Sequence, residues 1–236
     1  MITSLDVLDE EQSARTRQDV HALRSHWMPR GPEPASFFTL GSPSYLDLAE
    51  NPGGGGYYAH ARADRPVLWD RFGWLYGRLA EMLGEHLKEP VHYPENLALP
   101  GFHVWLAPAV FTKPKAPIHF DMQYRAMEWP PDADLSRLIS FTLPLRLPGA
   151  GGGLNVWEAT HEEFREALDK GWIDGASDLQ RFHPRQHVAY TVGRLVMHSG
   201  HILHQVAPCA RVEPDDERLT LQGHGVWCSG RWSLYW

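Results

Sequence analysis

The sequence predicts a mainly β fold with flanking helices, on the basis of its composition and of one change in hydrophobic period. The 236 residues include 21 glycines, 19 prolines and 10 tryptophans, which is typical of short strands joined by tight turns. Short apolar segments bounded by such turn residues recur after Pro94. Residues 65–88 are amphipathic with a helical period instead, so their apolar stripe needs a flat sheet to cover.

Composition and charge also exclude several classes of function. The formal net charge of −7 argues against a nucleic-acid-binding protein, which needs a basic face to neutralise phosphates. Cys209 and Cys228 are too few for a disulfide framework or a cysteine-based zinc site, so a reduced, cytoplasmic setting is expected. The first residues do not form a signal peptide, and no apolar run approaches the roughly 20 residues of a membrane helix. We therefore expect a soluble protein; its oligomeric state stays open.

The first hundred residues predict two helices and a strand. Residues 9–27 are helical in pattern, with acidic residues first and basic residues near the end. Residues 36–40 are a candidate strand. The second helix, 65–88, carries its apolar residues at three- and four-residue steps: Leu68, Phe72, Leu75, Leu79, Met82, Leu83 and Leu87.

Residues 51–58 contain four consecutive glycines followed by two tyrosines. Because such a run does not hold a helix or a strand cheaply, we expect a surface loop. The alternative is a mobile lid in which Tyr57 and Tyr58 close over a ligand.

The rest of the chain predicts a strand-rich core with one short helix. Thr160 as N-cap and Glu163 three residues later form a capping box, and Gly171 ends that helix. No repeat or linker interrupts the chain, so residues 1–236 are expected to form one domain. Its N-terminal helical and loop region, 1–98, would pack on a core at 99–227. The expected strands of that core are 102–106, 117–124, 138–147, 154–157, 187–191, 194–197 and 217–226.

A possible metal site lies in the segment 117–124, which we predict to be a short strand. His119 and Asp121 would then point to the same face and could bind one ion. Among fourteen histidines, only His119 has an aspartate two residues later. An imidazole and a carboxylate are two of the three ligands of the 2-His-1-carboxylate iron site. The alternatives are a solvated pair, or the rival pair His161 and Glu163, whose side chains diverge on a helix.

Two further features lie downstream of this pair. His198, His201 and His204 cluster ahead of Val206-Ala207-Pro208. Arg218 shares a predicted strand face with Thr220, Gln222 and His224. A buried arginine is costly unless it meets an anion, and its planar guanidinium can hold a carboxylate with two hydrogen bonds. A structural salt bridge to an Asp or Glu is the alternative.

The order of His119-Phe120-Asp121, His204 and Arg218-Leu219-Thr220 resembles the Fe(II)/2-oxoglutarate-dependent oxygenase superfamily over about residues 100–226. The resemblance implies a double-stranded β-helix core, which is a jelly-roll of the cupin-like kind. It also implies that Arg218 and Thr220 bind the distal carboxylate of the cosubstrate 2-oxoglutarate. His119, Asp121 and His204 would bind Fe(II), with O2 as the second cosubstrate.

The choice of His204 as the distal ligand depends on its neighbours. It precedes the Val-x-Pro phrase usual after the family's distal histidine, and it lies fourteen residues before Arg218. His198 and His201 are expected to be loop residues or to surround the site, and the alternative for each is a solvated surface histidine.

The resemblance further implies oxidation, most simply hydroxylation, of an unactivated C–H group in a small molecule, with release of succinate and CO2. Asp121 argues against halogenation, because family halogenases carry a small residue there. Desaturation and ring formation stay open as outcomes. Two alternative functions also remain: a hydroxylase of protein side chains, and a non-catalytic metal-binding jelly-roll sensor. Candidate substrate-binding residues are Gln123 and Arg125, by strand parity with the metal pair, together with His103, Trp105 and Trp157.

Overall fold

The structure is a computed structural model and describes residues 2–50, 55–149 and 151–236. Within these residues the chain forms two mostly antiparallel β-sheets that are flanked by helices. The helices are α1 (Glu10–Ala22), α2 (Ser44–Glu50), α3 (Gly55–Leu87) and α4 (His161–Asp169). The strands are β1 (Ile2–Asp6), β2 (Met28–Pro29), β3 (Phe37–Leu40), β4 (Val91–His92), β5 (Gly101–Leu106), β6 (Asp134–Arg146), β7 (Gly153–Thr160), β8 (Arg185–Ala189), β9 (Arg194–His198), β10 (Ile202–Ala207), β11 (Glu217–Cys228) and β12 (Arg231–Tyr235).

The larger sheet is organised around β11. Its strand order is β1-β9-β6-β11-β5-β3-β2, and β12 and β4 continue it beside the second half of β11. β11 is twelve residues long, so it pairs with β5 along its first half and with β12 along its second half, while β6 lies on its other side. Residues on β11 are therefore held in register on both flanks.

One face of the larger sheet is apolar and is covered by α1 and α3. The side chains that α3 buries there are no more than 2% exposed: Leu68, Phe72, Leu75, Leu79 and Leu83. Each such side chain contributes about 1.5–3 kcal/mol relative to an exposed one. The predicted amphipathic helix is thus confirmed, although it begins at Gly55, ten residues earlier than expected.

The opposite, inner face of the same sheet is polar. Paired residues on neighbouring strands share a face, so the strand register defines rows of side chains that point together. Two such rows run across the inner face: Thr39, His103 and Thr220 on β3, β5 and β11, and His224, Ser140 and His198 on β11, β6 and β9. This polar face is directed toward the smaller sheet.

The smaller sheet has the order β10-β7-β8. Its inner face packs Leu154 and Val156 against Val196 of the larger sheet. Its outer face is covered by α4, whose predicted capping box is present: Glu163 N donates to Thr160 Oγ1 at 3.2 Å and Thr160 N donates to Glu163 Oε2 at 2.6 Å. The two sheets thus form a sandwich with a partly polar interior.

The N-terminal region contributes more β-structure than the sequence predicts. Besides the predicted strand, now β3, it supplies β1, β2 and β4, and β1 pairs with β9 at the edge of the larger sheet. The glycine-rich loop prediction falls partly on residues 51–54, outside the described residues. At residues 55–58 the loop prediction is wrong, because these residues form the start of α3: Tyr57 and Tyr58 lie in its first turns, and Tyr57 is fully buried.

The strand predicted at 117–124 is wrong. Only His119 pairs there, in an isolated bridge with His204, and Gln123–Ala126 form a 3₁₀ turn. Pro114 and Pro117 lack the N–H that a longer ladder needs, and the chain turns immediately after Asp121. Parity along a strand therefore does not apply to Gln123 and Arg125.

Among the described residues, no helix combines the length with the apolar character needed to cross a bilayer.

Candidate active site

His119, Asp121 and His204 converge at one end of the space between the sheets. His119 Nε2 lies 3.7 Å from Asp121 Oδ1, and His204 Nε2 lies 3.6 Å from Asp121 Oδ2. One ligand atom from each residue lies within 4.8 Å of the other two. Two backbone hydrogen bonds of 3.0 Å between His119 and His204 fix this arrangement. Metal–ligand bonds of about 2.0–2.2 Å allow these three atoms to share one ion.

The tautomers of both histidines suit a metal. His119 Nδ1 lies 3.0 Å from Pro117 O, and His204 Nδ1 lies 3.0 Å from Ile202 O. A carbonyl oxygen only accepts, so each Nδ1 carries the hydrogen and each Nε2 presents a lone pair beside Asp121. Metal-binding histidines are usually oriented through the other ring nitrogen in this way. The donor set is therefore compatible with Fe(II), for which two imidazoles and one carboxylate are typical ligands.

The local electrostatics keep these ligands in the forms that bind metal. Burial lowers the pKa of His204 to about 3, even though Asp121 opposes this shift. Burial by itself would raise the pKa of Asp121, but His204, His224, His119 and His198 outweigh it and hold that pKa below its usual value. At neutral pH the imidazole of His204 is neutral and the carboxylate is ionised.

The other clustered histidines do not join this set. His198 is 6% exposed, and its Nδ1 donates to Ser199 O at 2.8 Å; it is not a solvated surface residue. His201 points elsewhere, with Nε2 3.0 Å from the hydroxyl of Tyr124. In the rival pair, the Glu163 carboxylate is occupied by the cap of α4. Among the described residues, His119, Asp121 and His204 are the one group of three with metal-binding spacing.

Arg218 is buried between the two sheets without a carboxylate partner. It is 6% exposed, and Nη1 and Nη2 each donate to a carbonyl, Ala207 O and Gly153 O, at 3.3 Å. Its guanidinium carbon lies 5.4 Å from the Tyr190 ring centre. No Asp or Glu oxygen lies within 4 Å of it in the described part of the chain. Burial lowers its pKa, yet an arginine stays protonated, so this cation lacks a counter-anion.

The backbone around Arg218 depends on a glycine. A Cβ at Gly153 would lie 2.3 Å from Val188 O, so only glycine lets β7 approach β8 there. This close approach places Gly153 O where Arg218 reaches it. Thr220, the second predicted anchor, is 1% exposed and shares the inner face with Arg218. Its hydroxyl accepts a 3.4 Å hydrogen bond from Gln222.

The predicted substrate-binding residues lie in three different places. His103 and Trp105 lie on the inner face of β5, where His103 is 6% exposed and Trp105 packs half-buried against aromatic neighbours. Gln123 is half-buried and Arg125 is exposed, both in the 3₁₀ turn. Trp157 does not line the space between the sheets. It pairs with Leu203 on the outer face of the smaller sheet and packs into the cluster beneath α4.

Sequence reasoning did not identify four polar residues of the site. The hydroxyl of Tyr45, on α2, lies 2.6 Å from His103 Nε2, and Tyr190 lies beside Arg218. His224 and Ser140 lie together under Asp121. The strand alternation places His224 on the same face as Arg218 but assigns it no role in the site. Tyr45 gives no such signal, because its partner is 58 residues away.

Comparisons with known proteins identify the fold through structure alone. No protein-family model matches the chain, and no curated protein matches it by sequence. A solved structure of an N-substituted L-amino acid dioxygenase from Burkholderia ambifaria, in complex with α-ketoglutarate, is similar with a TM-score of 0.55 and 12% identity, covering 99% of this chain and 85% of that one.

Two further solved structures are similar over most of the chain. One is the non-haem α-ketoglutarate-dependent epimerase SnoN from nogalamycin biosynthesis, with a TM-score of 0.52, 15% identity and coverage of 97% of this chain and 78% of that one. The other is EctD from S. alaskensis with 2-oxoglutarate and 5-hydroxyectoine, with a TM-score of 0.50, 14% identity and coverage of 94% and 71%. The predicted jelly-roll fold is thereby confirmed.

Proposed function

We propose that this chain, which has the fold of 2-oxoglutarate-dependent oxygenases, is an Fe(II)- and 2-oxoglutarate-dependent oxygenase acting on an unactivated C–H group of a small molecule. The observation that carries the proposal is that two features lie together in the space between the sheets. A three-residue donor set whose two Nε2 atoms face Asp121 shares that space with a buried arginine for which the described residues offer no carboxylate partner. The first suits a metal and the second suits a dicarboxylate cosubstrate.

Each residue then has a defined task. His119, Asp121 and His204 would hold the iron, which supplies the oxidising chemistry with 2-oxoglutarate and O2 and yields succinate and CO2. Arg218 would bind the distal carboxylate of the cosubstrate through its two Nη groups, assisted by the hydroxyl of Thr220. Because both sheets exclude water from Arg218, this ion pair is stronger than it would be at the surface.

The surroundings of the site favour a small-molecule substrate. The short helix α2 packs near the 3₁₀ turn that follows Asp121, and the hydroxyl of its Tyr45 is directed at buried His103. The polar inner face, with Thr39 and His103, offers hydrogen bonds to a polar substrate. The names of the similar structures, an amino acid dioxygenase and an epimerase of a biosynthetic pathway, agree with this substrate class.

The decisive experiment measures succinate formed from 2-oxoglutarate in air by the purified protein with Fe(II) and ascorbate. We expect succinate above background with the wild type and none with Asp121→Ala. Asp169→Ala, at an exposed position on α4, is the matched control and should behave as wild type.

The alternatives give different outcomes in the same experiment. A metal-binding sensor would bind Fe(II) and 2-oxoglutarate without producing succinate with any substrate tested. A protein hydroxylase would add the mass of oxygen to peptides, and a small-molecule panel would leave succinate unchanged. A wild type that binds no divalent metal would contradict the proposal outright.

A further inference from the structure

Beneath the three candidate metal ligands lies the row formed by His224, Ser140 and His198 on adjacent strands of the larger sheet. None of these three residues is more than 9% exposed. His224 Nδ1 lies 3.0 Å from Ser140 Oγ and 3.9 Å from Asp121 Oδ2. The second distance is too long for a hydrogen bond but places the imidazole edge against the carboxylate.

The neighbours of His224 determine which of its nitrogens carries the hydrogen. A carboxylate oxygen facing Nδ1 would repel a lone pair there, so Nδ1–H is the favoured tautomer. With this hydrogen donated to Ser140 Oγ, the positive edge of the imidazole lies 3.9 Å from Asp121 Oδ2. The ring is also packed against Tyr235, with ring centres 5.5 Å apart, so its orientation is fixed.

Asp121 is held from the other side by backbone. Its N–H donates to Gly200 O at 3.1 Å, and a Cβ at Gly200 would lie 3.4 Å from Ser140 Oγ and 3.7 Å from Asp121 Cβ. The carboxylate group itself, however, receives no protein hydrogen bond of 3.5 Å or less among the described residues. Its orientation depends on the groups that surround it.

We propose that His224, held by Ser140, is a positioning residue that orients the Asp121 carboxylate for metal binding. This inference rests on the proposed function, because it assumes that Asp121 is a ligand. A carboxylate that uses one oxygen for an ion leaves the other free to rotate, and an N–H dipole beside it restricts that rotation. Groups that orient metal ligands typically contribute about 10- to 100-fold in metal affinity.

The same row provides a reason to single out His224 over His198. His198 donates its Nδ1–H to Ser199 O and lies against the His204 ring, with centres 4.6 Å apart. Among the described residues, neither ring nitrogen of His198 pairs with the Asp121 carboxylate within 4 Å, whereas His224 Nδ1 does. His198 therefore packs beside a ligand, whereas His224 faces the carboxylate.

The test is titration of the apo-protein with Co(II), followed by visible absorbance and by competition with a chelator, without cosubstrate. We expect His224→Leu to weaken Co(II) binding by about 10- to 100-fold and Ser140→Ala to weaken it by about tenfold or less. His224→Asn should restore affinity to within about threefold of wild type, because the asparagine amide nitrogen lies near the position of imidazole Nδ1. Thermal unfolding of each apo-variant reports whether it is folded.

His92 offers a matched control, since its Nε2 lies 2.7 Å from the hydroxyl of Ser233 in a similar histidine–serine pair away from the metal ligands. His92→Leu should leave Co(II) affinity unchanged. Should His224→Leu not fold, Ser140→Ala and His224→Asn carry the comparison.

Two results would overturn the inference while leaving the proposed function intact: His224→Leu with wild-type Co(II) affinity, or His224→Asn as weak as His224→Leu, which indicates packing alone. A wild-type protein that binds no Co(II) would overturn both this inference and the proposed function.

Discussion

Arg218 and Arg30 are both buried arginines of the inner region, and they differ in what they face. Arg30 Nη1 lies 2.6 Å from Asp47 Oδ1, and both side chains are less than 10% exposed. Arg218 donates to two carbonyl oxygens and lies beside the Tyr190 ring, and it has no carboxylate partner within 4 Å in the described part of the chain. An arginine whose charge is already neutralised has a structural explanation, whereas one left unpaired indicates a ligand that carries the missing charge.

Replacing Arg218 tests this difference. Arg218→Ala should weaken 2-oxoglutarate binding by about 30-fold or more, since charge-assisted hydrogen bonds contribute about 1.5–3 kcal/mol each. Arg218→Lys should recover only part of the loss, because an ammonium group cannot form two parallel hydrogen bonds. Calorimetric titration of the Co(II)-loaded variants measures the cosubstrate affinity. Unchanged affinity in Arg218→Ala would remove the anchor assignment, and unchanged Co(II) binding serves as the control.

His103 should make the free energy of unfolding depend on pH. Burial, and to a lesser extent nearby cations, lower its pKa from 6.5 to about 3. Between pH 6.5 and pH 3, His103 binds a proton in the unfolded chain but not in the folded protein. The stability that comes from its neutral form is therefore complete above about pH 6.5 and is lost progressively toward pH 3. The loss is about 1.4 kcal/mol per pH unit for one site.

Urea unfolding at pH 7, 6 and 5 measures this effect by comparison with His103→Gln. As the pH falls, the free energy of unfolding should decrease more steeply for the wild type than for the variant. The difference in slope should correspond to nearly one bound proton. Other buried histidines remain in both proteins, so they cancel in the comparison. Equal slopes would show that His103 titrates normally.

The metal pair and Arg218 could be recognised from sequence because their spacing is local. His119 and Asp121 are two residues apart, and Arg218 lies on a strand with clear alternation. The partners Ser140 and His224 are 84 residues apart, so only the strand register of the fold brings them together. Local patterns therefore indicate candidate ligands, but they do not indicate the groups that surround them.

Elements with strong local signals were predicted well. The amphipathic period of α3 and the capping box of α4 each depend on residues within a few positions. The strand predicted at 117–124 does not form, because alternating side chains make a strand only where a neighbouring strand supplies hydrogen bonds. Proline removes backbone donors here, and one bridge to His204 remains. The short helix α2 has too few residues to show a period, so its position over the site was not foreseen.

The docking of α2 depends on Tyr45, whose ring is partly exposed while its hydroxyl contacts buried His103. Tyr45→Phe leaves His103 Nε2 without this partner and should lower the free energy of unfolding by about 1–2 kcal/mol. Chemical unfolding measures this change in free energy, and the α2 amides should exchange hydrogen faster in the variant. Tyr58→Phe removes a hydroxyl that accepts from Glu128 N at an exposed position, so it should change stability by less than about 0.5 kcal/mol.

At the scale of the whole molecule, two candidate ligands, His119 and Asp121, come from a connecting segment, and the third, His204, lies on strand β10. The segment with His119 and Asp121 is attached to β10 through one bridge, and β10 belongs to the smaller sheet. The row beneath them belongs to the larger sheet. A bound ion would therefore join parts of the chain that otherwise share few contacts.

Metal binding should accordingly stabilise the folded protein. With Co(II) at about 100 times its dissociation constant, mass action adds about 2.7 kcal/mol. For a chain of this size that corresponds to a rise in Tm of about 5–10 °C. Differential scanning fluorimetry with Co(II) and then with excess EDTA measures the shift and its reversal. Asp121→Ala should show no shift, and a similar shift in that variant would indicate that the ion binds elsewhere.

The N-terminal region could not be placed from sequence, although it completes the larger sheet. β1 lies at one edge beside β9, and β3 extends the sheet beyond β5. Pairing between residues nearly two hundred positions apart leaves no trace in local composition. The core predicted at 99–227 could be proposed from sequence because its candidate metal ligands and Arg218 occur in the order that the oxygenase superfamily shows.

β11 is bonded on both flanks, and it carries Arg218 near its start and His224 further along. The gap between Arg218 and the candidate iron ligands is therefore bounded along one side by a single strand, with Arg218 at one end and His224, which faces the Asp121 carboxylate, at the other. A dicarboxylic 2-oxo acid must span that gap to be held at both ends. This spacing should therefore favour 2-oxoglutarate, which has five carbons, over dicarboxylic 2-oxo acids that are one methylene shorter or longer.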